Sequence, residues 1–153
     1  MPIPSKYVHT NLIAEDWRKL ASFYERLFGC VPVPPERDYR GEKLEAGSGV
    51  AGAHLTGMHL RLPGYGENGP TLEIFNYNLL EKRAATAVNR PGFGHIAFLV
   101  DDVQSARQAV LAEGGSQVGE VVTLETATGA KVTWCYVTDI EGNVIELQSW
   151  ANP

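Results

Sequence analysis

Gly92-Phe93-Gly94-His95-Ile96-Ala97-Phe98-Leu99-Val100-Asp101-Asp102 is an apolar run with one histidine near its start and an acidic residue at its end. Such a run predicts a strand, and Asp102 stands where a following helix needs an N-cap. Outward from this stretch, Tyr7-Val8-His9-Thr10-Asn11-Leu12-Ile13-Ala14-Glu15-Asp16 repeats the layout, with His9 and Asp16 spaced like His95 and Asp102. A shift of 86 places His9 on His95, Asp16 on Asp102 and Gly29 on Gly115. The chain therefore reads as one supersecondary unit written twice, with the histidine inside the repeat.

Each copy continues in the same way. After Asp16, the residues Trp17, Leu20, Ala21, Tyr24, Leu27 and Phe28 recur at helical spacing, and Gly29 can take the left-handed conformation that ends a helix. After Asp102, Val103, Ala106, Ala109 and Val110 predict a second helix, ended by Gly114 and Gly115. Residues 30–50 hold Pro32, Pro34 and Pro35 and then a charged stretch without an apolar face, which predicts a short edge strand and an exposed loop. Alternation predicts strands over 53–62, 71–77, 117–125, 131–138 and 143–150. Glu73, Phe75 and Tyr77 share one face of their strand, as do Val144, Glu146, Gln148 and Trp150 of theirs. Glu73 and Glu146 are offset by 73 rather than 86, so the first copy carries 13 extra residues, expected in the Pro-rich and charged loop after Gly29.

These elements predict an α+β fold: two tandem βαβββ modules forming curved mixed sheets around a metal-binding cavity, with the helices outside. Residues 1–153 form a single domain in this reading, with module 1 at about 6–77, module 2 at about 92–150 and a linker at about 78–91. A net charge of -5 argues against nucleic acid as a partner. No window approaches the ~20 apolar residues of a membrane span. The two cysteines, Cys30 and Cys135, are too few for a disulfide framework, and a cytoplasmic location is expected.

Four polar side chains fall at matching places: His9 and His95 on the first strand of each module, Glu73 and Glu146 on the last. A lone strand histidine is usually a packed or surface residue, and a lone glutamate is usually solvated. An uncompensated carboxylate inside a sheet costs several kcal/mol, so two of them beside two histidines suggest a shared cation. Two imidazoles and two carboxylates form an N/O ligand set for one divalent metal ion, with waters completing an octahedron. Without thiolates, a structural zinc clip is not expected. Nickel, cobalt, zinc, manganese and ferrous iron all accept this set.

The double module, Phe23-Tyr24-Glu25 with Leu27-Phe28-Gly29, Gly94-His95-Ile96-Ala97-Phe98 with Val100-Asp101, and Asp139-Ile140-Glu141-Gly142-Asn143-Val144-Ile145-Glu146-Leu147 resemble the vicinal oxygen chelate superfamily. That superfamily includes glyoxalase I, methylmalonyl-CoA epimerase, extradiol dioxygenases, and fosfomycin and bleomycin resistance proteins. The chain departs from it at Ile140, where the last turn usually has proline, a change that alters turn stiffness. The His, Glu, His, Glu ligand pattern of glyoxalase I carries over onto His9, Glu73, His95 and Glu146. The resemblance implies a metal-dependent isomerase, epimerase or lyase acting on a small oxygenated substrate by an enediolate mechanism. The metal polarises two adjacent oxygens, and Glu146 or Glu73 moves a carbon-bound proton. The glutathione contacts do not carry over, because Ile13 and Tyr77 stand where glyoxalase I has an arginine and an asparagine. The alternatives are an iron-dependent ring-cleavage-type dioxygenase, which needs two histidines and one carboxylate, and a non-catalytic drug- or metabolite-binding resistance protein. A homodimer is expected from the same resemblance.

Substrate contacts are expected from Asn11, Phe75, Tyr77, Gln148 and Trp150, which share strand faces with the ligands, although the aromatics also suit an ordinary core. His59 and Arg61 share the polar face of their strand and suit a substrate carboxylate or phosphate; a solvated face is the competing reading. His54 reads as structural, and Cys135 is assigned no chemistry.

Overall fold

The computed structural model describes all 153 residues, Met1–Pro153. The chain forms two compact units, Met1–Lys82 and Arg83–Pro153. Unit 1 contains β1 (His9–Ile13), α1 (Trp17–Phe28), β2 (Val31–Arg40), α2 (Glu42–Ser48), β3 (His54–Arg61) and β4 (Thr71–Tyr77). Unit 2 contains β5 (Ile96–Leu99), α3 (Val103–Ala112), β6 (Ser116–Glu125), β7 (Lys131–Thr138) and β8 (Val144–Ala151). Each unit builds one mixed four-stranded sheet, ordered β1-β4-β3-β2 and β5-β8-β7-β6. In each, the first strand runs parallel to the last and the other pairs are antiparallel. The βαβββ repeat read from the sequence is thus present twice, with one topology.

Local chemistry explains the helix limits. The Asp16 carboxylate accepts a hydrogen bond from the Lys19 N–H at 3.1 Å, and the Asp102 carboxylate accepts one from Ser105 N–H at 2.6 Å. Each satisfies an N–H that the first helical turn leaves without a partner. Helix α1 ends at Gly29 with φ 67°, a left-handed cap that costs a glycine little. On its apolar side Leu20, Phe23 and Tyr24 are fully buried, and the helix packs on β3 and β4, where Leu60, Leu72 and Ile74 are also fully buried. Helix α3 packs Val103 and Val110 on a sheet whose Cys135, Val137, Ile145 and Leu147 are fully buried. Alternation along β4 and β8 then turns Glu73 and Glu146 to the sheet face opposite the helix.

The first copy differs from expectation in three ways. The stretch after Gly29 is a ten-residue edge strand, irregular between Val33 and Arg37, where an edge position tolerates the prolines. The charged loop is in fact helix α2, whose Gly49 cap has φ 73°. It has no buried residue, so no apolar stripe announced it. The extra residues are also divided. The offset between equivalent strand starts falls from 85 (Val31, Ser116) to 77 (His54, Lys131) and then 73 (Thr71, Val144). Most of the insertion is therefore α2 and its flanks, and the rest lies in the β3–β4 turn.

The predicted linker contributes to both units. Asn78 Oδ1 accepts a hydrogen bond from the backbone N–H of His54 at 2.8 Å, while Arg83 and Thr86 bond to Asn143 and Gly142. That turn is tied down by Asp139, whose carboxylate accepts from the N–H groups of Glu141 and Asn143 and from the Asn143 side chain. With Ile140 in place of proline, these three bonds give the turn its shape.

Candidate metal centre

In unit 1 the register of the sheet aligns Asn11, Glu73 and His59 in one row across β1, β4 and β3. Opposed residues in such a row stand close enough for their side chains to meet. The Glu73 carboxylate accepts from Asn11 Nδ2 on Oε1 at 2.8 Å and lies 2.6 Å from His59 Nε2 on Oε2. His9 Nε2 stands 3.6 Å from Oε1. The His9 and His59 rings meet edge to face with centroids 5.3 Å apart, and Phe75 closes on His59 from the other side at 6.1 Å. Gly57, opposite Phe75, leaves room for that ring: a Cβ there would lie 2.4 Å from its Cδ1.

His9, His59 and Glu73 each offer one ligand atom, and the three atoms lie within 4.8 Å of one another. Donors ~2.1 Å from a common ion stand about 3–4 Å apart, so small side-chain rotations suffice to enclose one. Burial holds the His59 imidazole below its ordinary value of 6.5, while the Glu73 carboxylate pulls it the other way. A neutral imidazole is the form that ligates metal, and burial favours it here. Its other nitrogen, Nδ1, lies 2.9 Å from Thr71 Oγ1, a partner that fixes the ring's orientation.

In unit 2 the corresponding row is Ala97, Glu146 and Tyr136. His95 lies just ahead of β5, and its Nε2 is 2.8 Å from Glu146 Oε2. Gln148 Nε2 donates to Glu146 Oε1 at 3.3 Å, and Trp150 Nε1 donates to Gln148 Oε1. The Tyr136 ring meets His95 at a tilt and Trp134 edge to face, with centroids 5.0 Å from each.

The structure thus joins His9 to Glu73 and His95 to Glu146, and it gathers Asn11 and Phe75 in the first group and Gln148 and Trp150 in the second. His59, read from the sequence as a substrate contact, sits against the Glu73 carboxylate, in the group of three donors that could hold a metal ion. Arg61 lies two residues further along β3, opposite Thr71, and its Nε is buried without a hydrogen-bond partner. Tyr77 is at the far end of β4, opposite Leu55. His54 pairs with Asp38 at 2.7 Å, away from this row, in keeping with its structural reading. Thr71 and Tyr136 were missed. Thr71 shares strand parity with Glu73, but Tyr136 lies on a strand from which the sequence offered no site residue, and only the register shows which imidazole each one meets.

Residues 6–147 match the model of the Glyoxalase/Bleomycin resistance protein/Dioxygenase superfamily. No curated protein matches the chain. Among solved structures, a glyoxalase family protein from Bacillus cereus is similar at a TM-score of 0.81 and 19% identity, covering 99% of this chain and 97% of that one. A glyoxylase/bleomycin resistance protein/dioxygenase domain from Frankia sp. follows at 0.62 and 15%, covering 97% and 100%. The fosfomycin resistance protein FosX from Listeria monocytogenes is similar at 0.54 and 14%, covering 97% and 94%. Identities this low speak for the fold alone, whereas the family model spans nearly the whole sequence. The chain belongs to the Glyoxalase/Bleomycin resistance protein/Dioxygenase superfamily.

Proposed function

We propose that the chain is a divalent-metal-dependent isomerase, epimerase or lyase of the glyoxalase I-like kind, with His9, Glu73, His95 and Glu146 as metal ligands. The observation that carries this reading is the repeated pairing of an imidazole with a carboxylate. His9 stands 3.6 Å from Glu73 and His95 2.8 Å from Glu146, each at the start of the first strand of its unit and each facing the last strand. The donor chemistry fits a first-row ion, because all four groups are nitrogen or oxygen donors and Glu73 and Glu146 are mostly shielded from water. Such an ion supplies a Lewis acid for two neighbouring oxygens of a small substrate.

The chain's own residues do the rest. Glu146 or Glu73 takes a proton from the carbon beside the polarised oxygen and returns it to the adjacent carbon. Asn11 and Gln148 each donate a hydrogen bond to one of these carboxylates and so set the direction in which it points. Arg61, with a buried donor lacking a partner, suits an anionic group of the substrate. Phe75, Tyr77 and Trp150 supply apolar surface, and Ile13 and Tyr77 speak against a glutathione adduct. A homodimer is part of the same reading, and a reducing compartment accords with two cysteines that are free and buried. No helix is long and apolar enough to cross a membrane.

The test is carbon-bound proton exchange into deuterated water, followed by NMR, over small α-hydroxycarbonyl compounds with each candidate metal. Exchange that is lost in Glu146→Gln or Glu73→Gln supports the scheme; full exchange in both variants ends it. A second reading, an iron-dependent dioxygenase, is favoured by the two-histidine, one-carboxylate set His9, His59 and Glu73. Substrate-dependent oxygen uptake by the ferrous protein would select it.

A further inference from the structure

We infer that unit 1 carries a three-donor cation site of its own, formed by His9 Nε2, His59 Nε2 and a Glu73 carboxylate oxygen, so that His59 is a metal ligand. This rests on the metal-dependent reading above and changes which residues hold the ion.

Three observations meet at His59. Its Nε2 stands closer to Glu73 than His9 does, at 2.6 Å against 3.6 Å. It is also better shielded, with a side chain 16% exposed against 38% for His9. Its Nδ1 lies 2.9 Å from Thr71 Oγ1, and a hydroxyl can accept from Nδ1–H, which leaves the Nε2 lone pair directed at the ion. On the far side of Glu73, Asn11 holds Oε1 at 2.8 Å and limits the carboxylate's rotation. The ligand atoms of His59 and Glu73 are thus each fixed by a neighbour within the same sheet.

Unit 2 does not repeat this arrangement. The residue opposite Glu146 is Tyr136, which brings neither an imidazole nor a carboxylate to the row, and the place of Asn11 is taken by Ala97. Unit 2 therefore offers two donors, His95 and Glu146, where unit 1 offers three.

The experiment measures Co²⁺ and Zn²⁺ binding to chelator-stripped full-length protein by calorimetry, with the visible d–d absorption of Co²⁺ reporting coordination. His59→Ala should weaken binding at least about tenfold and alter the Co²⁺ spectrum. Thr71→Val should weaken it by about tenfold, the usual range for a lost partner of a ligating histidine. The double variant His95→Ala/Glu146→Gln should still bind one ion per chain. Far-UV circular dichroism checks each fold, and His59→Gln replaces His59→Ala if the latter does not fold. Unchanged affinity and spectrum in the His59 variant, or complete loss of binding in the double variant, overturns this inference and leaves the four-ligand reading standing. A wild-type protein that binds neither ion overturns both.

Discussion

His59 and Glu73 face each other across the antiparallel β3–β4 pair, with Nε2 2.6 Å from Oε2, and both side chains are largely buried. In metal-free protein each is the main partner the other has, so their contributions to stability are coupled. His59→Ala and Glu73→Gln should each cost about 1–3 kcal/mol in chelator. The double variant should cost less than the two single losses combined, with a coupling of about 1–2 kcal/mol from urea unfolding. Strict additivity would show that the pair does not interact in solution.

Metal removal should lower stability reversibly. At an ion concentration about 100 times Kd, binding contributes about 2.7 kcal/mol. For a chain of this size that raises Tm by about 5–10 °C over the chelated protein, measured by scanning calorimetry. A Tm indifferent to every first-row divalent ion would contradict a folded-state metal site.

Gly57→Ala tests the close approach beneath the site. The new Cβ would lie 2.1 Å from the Ile74 carbonyl oxygen and 2.4 Å from Phe75 Cδ1, and the backbone contact cannot be relieved by a rotamer change. Overpacking of this kind costs about 1–3 kcal/mol, so Tm should fall by roughly 2–12 °C. Because Phe75 abuts His59, metal affinity should fall as well. The two readouts together separate a purely local clash from one that reaches the donors.

Acid should erode the helix caps. The Lys19 N–H holds the Asp16 carboxyl below its ordinary value of 3.8, and the Ser105 N–H does the same for Asp102. A carboxyl lowered by folding stabilises fully above its unfolded value and loses that contribution as pH falls through the lower folded value. Asp16→Ala and Asp102→Ala should therefore destabilise the protein at neutral pH, and the gap to wild type should narrow below that window. Urea midpoints measured across the acid range give the comparison; a constant gap would argue that the charge is not involved.

Both thiols should be inert in the native protein. Burial pushes Cys30 up to about 11, helped by the nearby Glu25 carboxylate, and burial also raises Cys135. Since the thiolate is the reactive form, a disulfide reagent in mildly alkaline buffer should label neither at an appreciable rate, and both after unfolding in guanidinium. Rapid labelling of the folded protein would contradict the burial.

The repeat was legible because it depends on spacing along the chain. Helical periodicity closes between an aspartate cap and a glycine stop for α1, and strand alternation turns Leu72 and Ile74 toward the helix and Glu73 away from it. The repeat spacing marked His9 and His95, while Glu73 and Glu146 were matched as the carboxylates on the last strand of each module. Helix α2 was not legible: it buries nothing and so carries no apolar period.

What the sequence by itself determined is therefore the double βαβββ plan, the limits of α1, the start of α3 and the sheet face on which each carboxylate stands, because these follow from cap residues and from periods of 3.6 and 2.0 along a single segment. Only the tertiary structure decided that His59 belongs with Glu73, that Thr71 orients it and that Tyr136 takes its place in unit 2. Alternation tells which face of a strand a side chain occupies but not which residue stands opposite, and that register is fixed by hydrogen bonding and packing between segments distant in sequence.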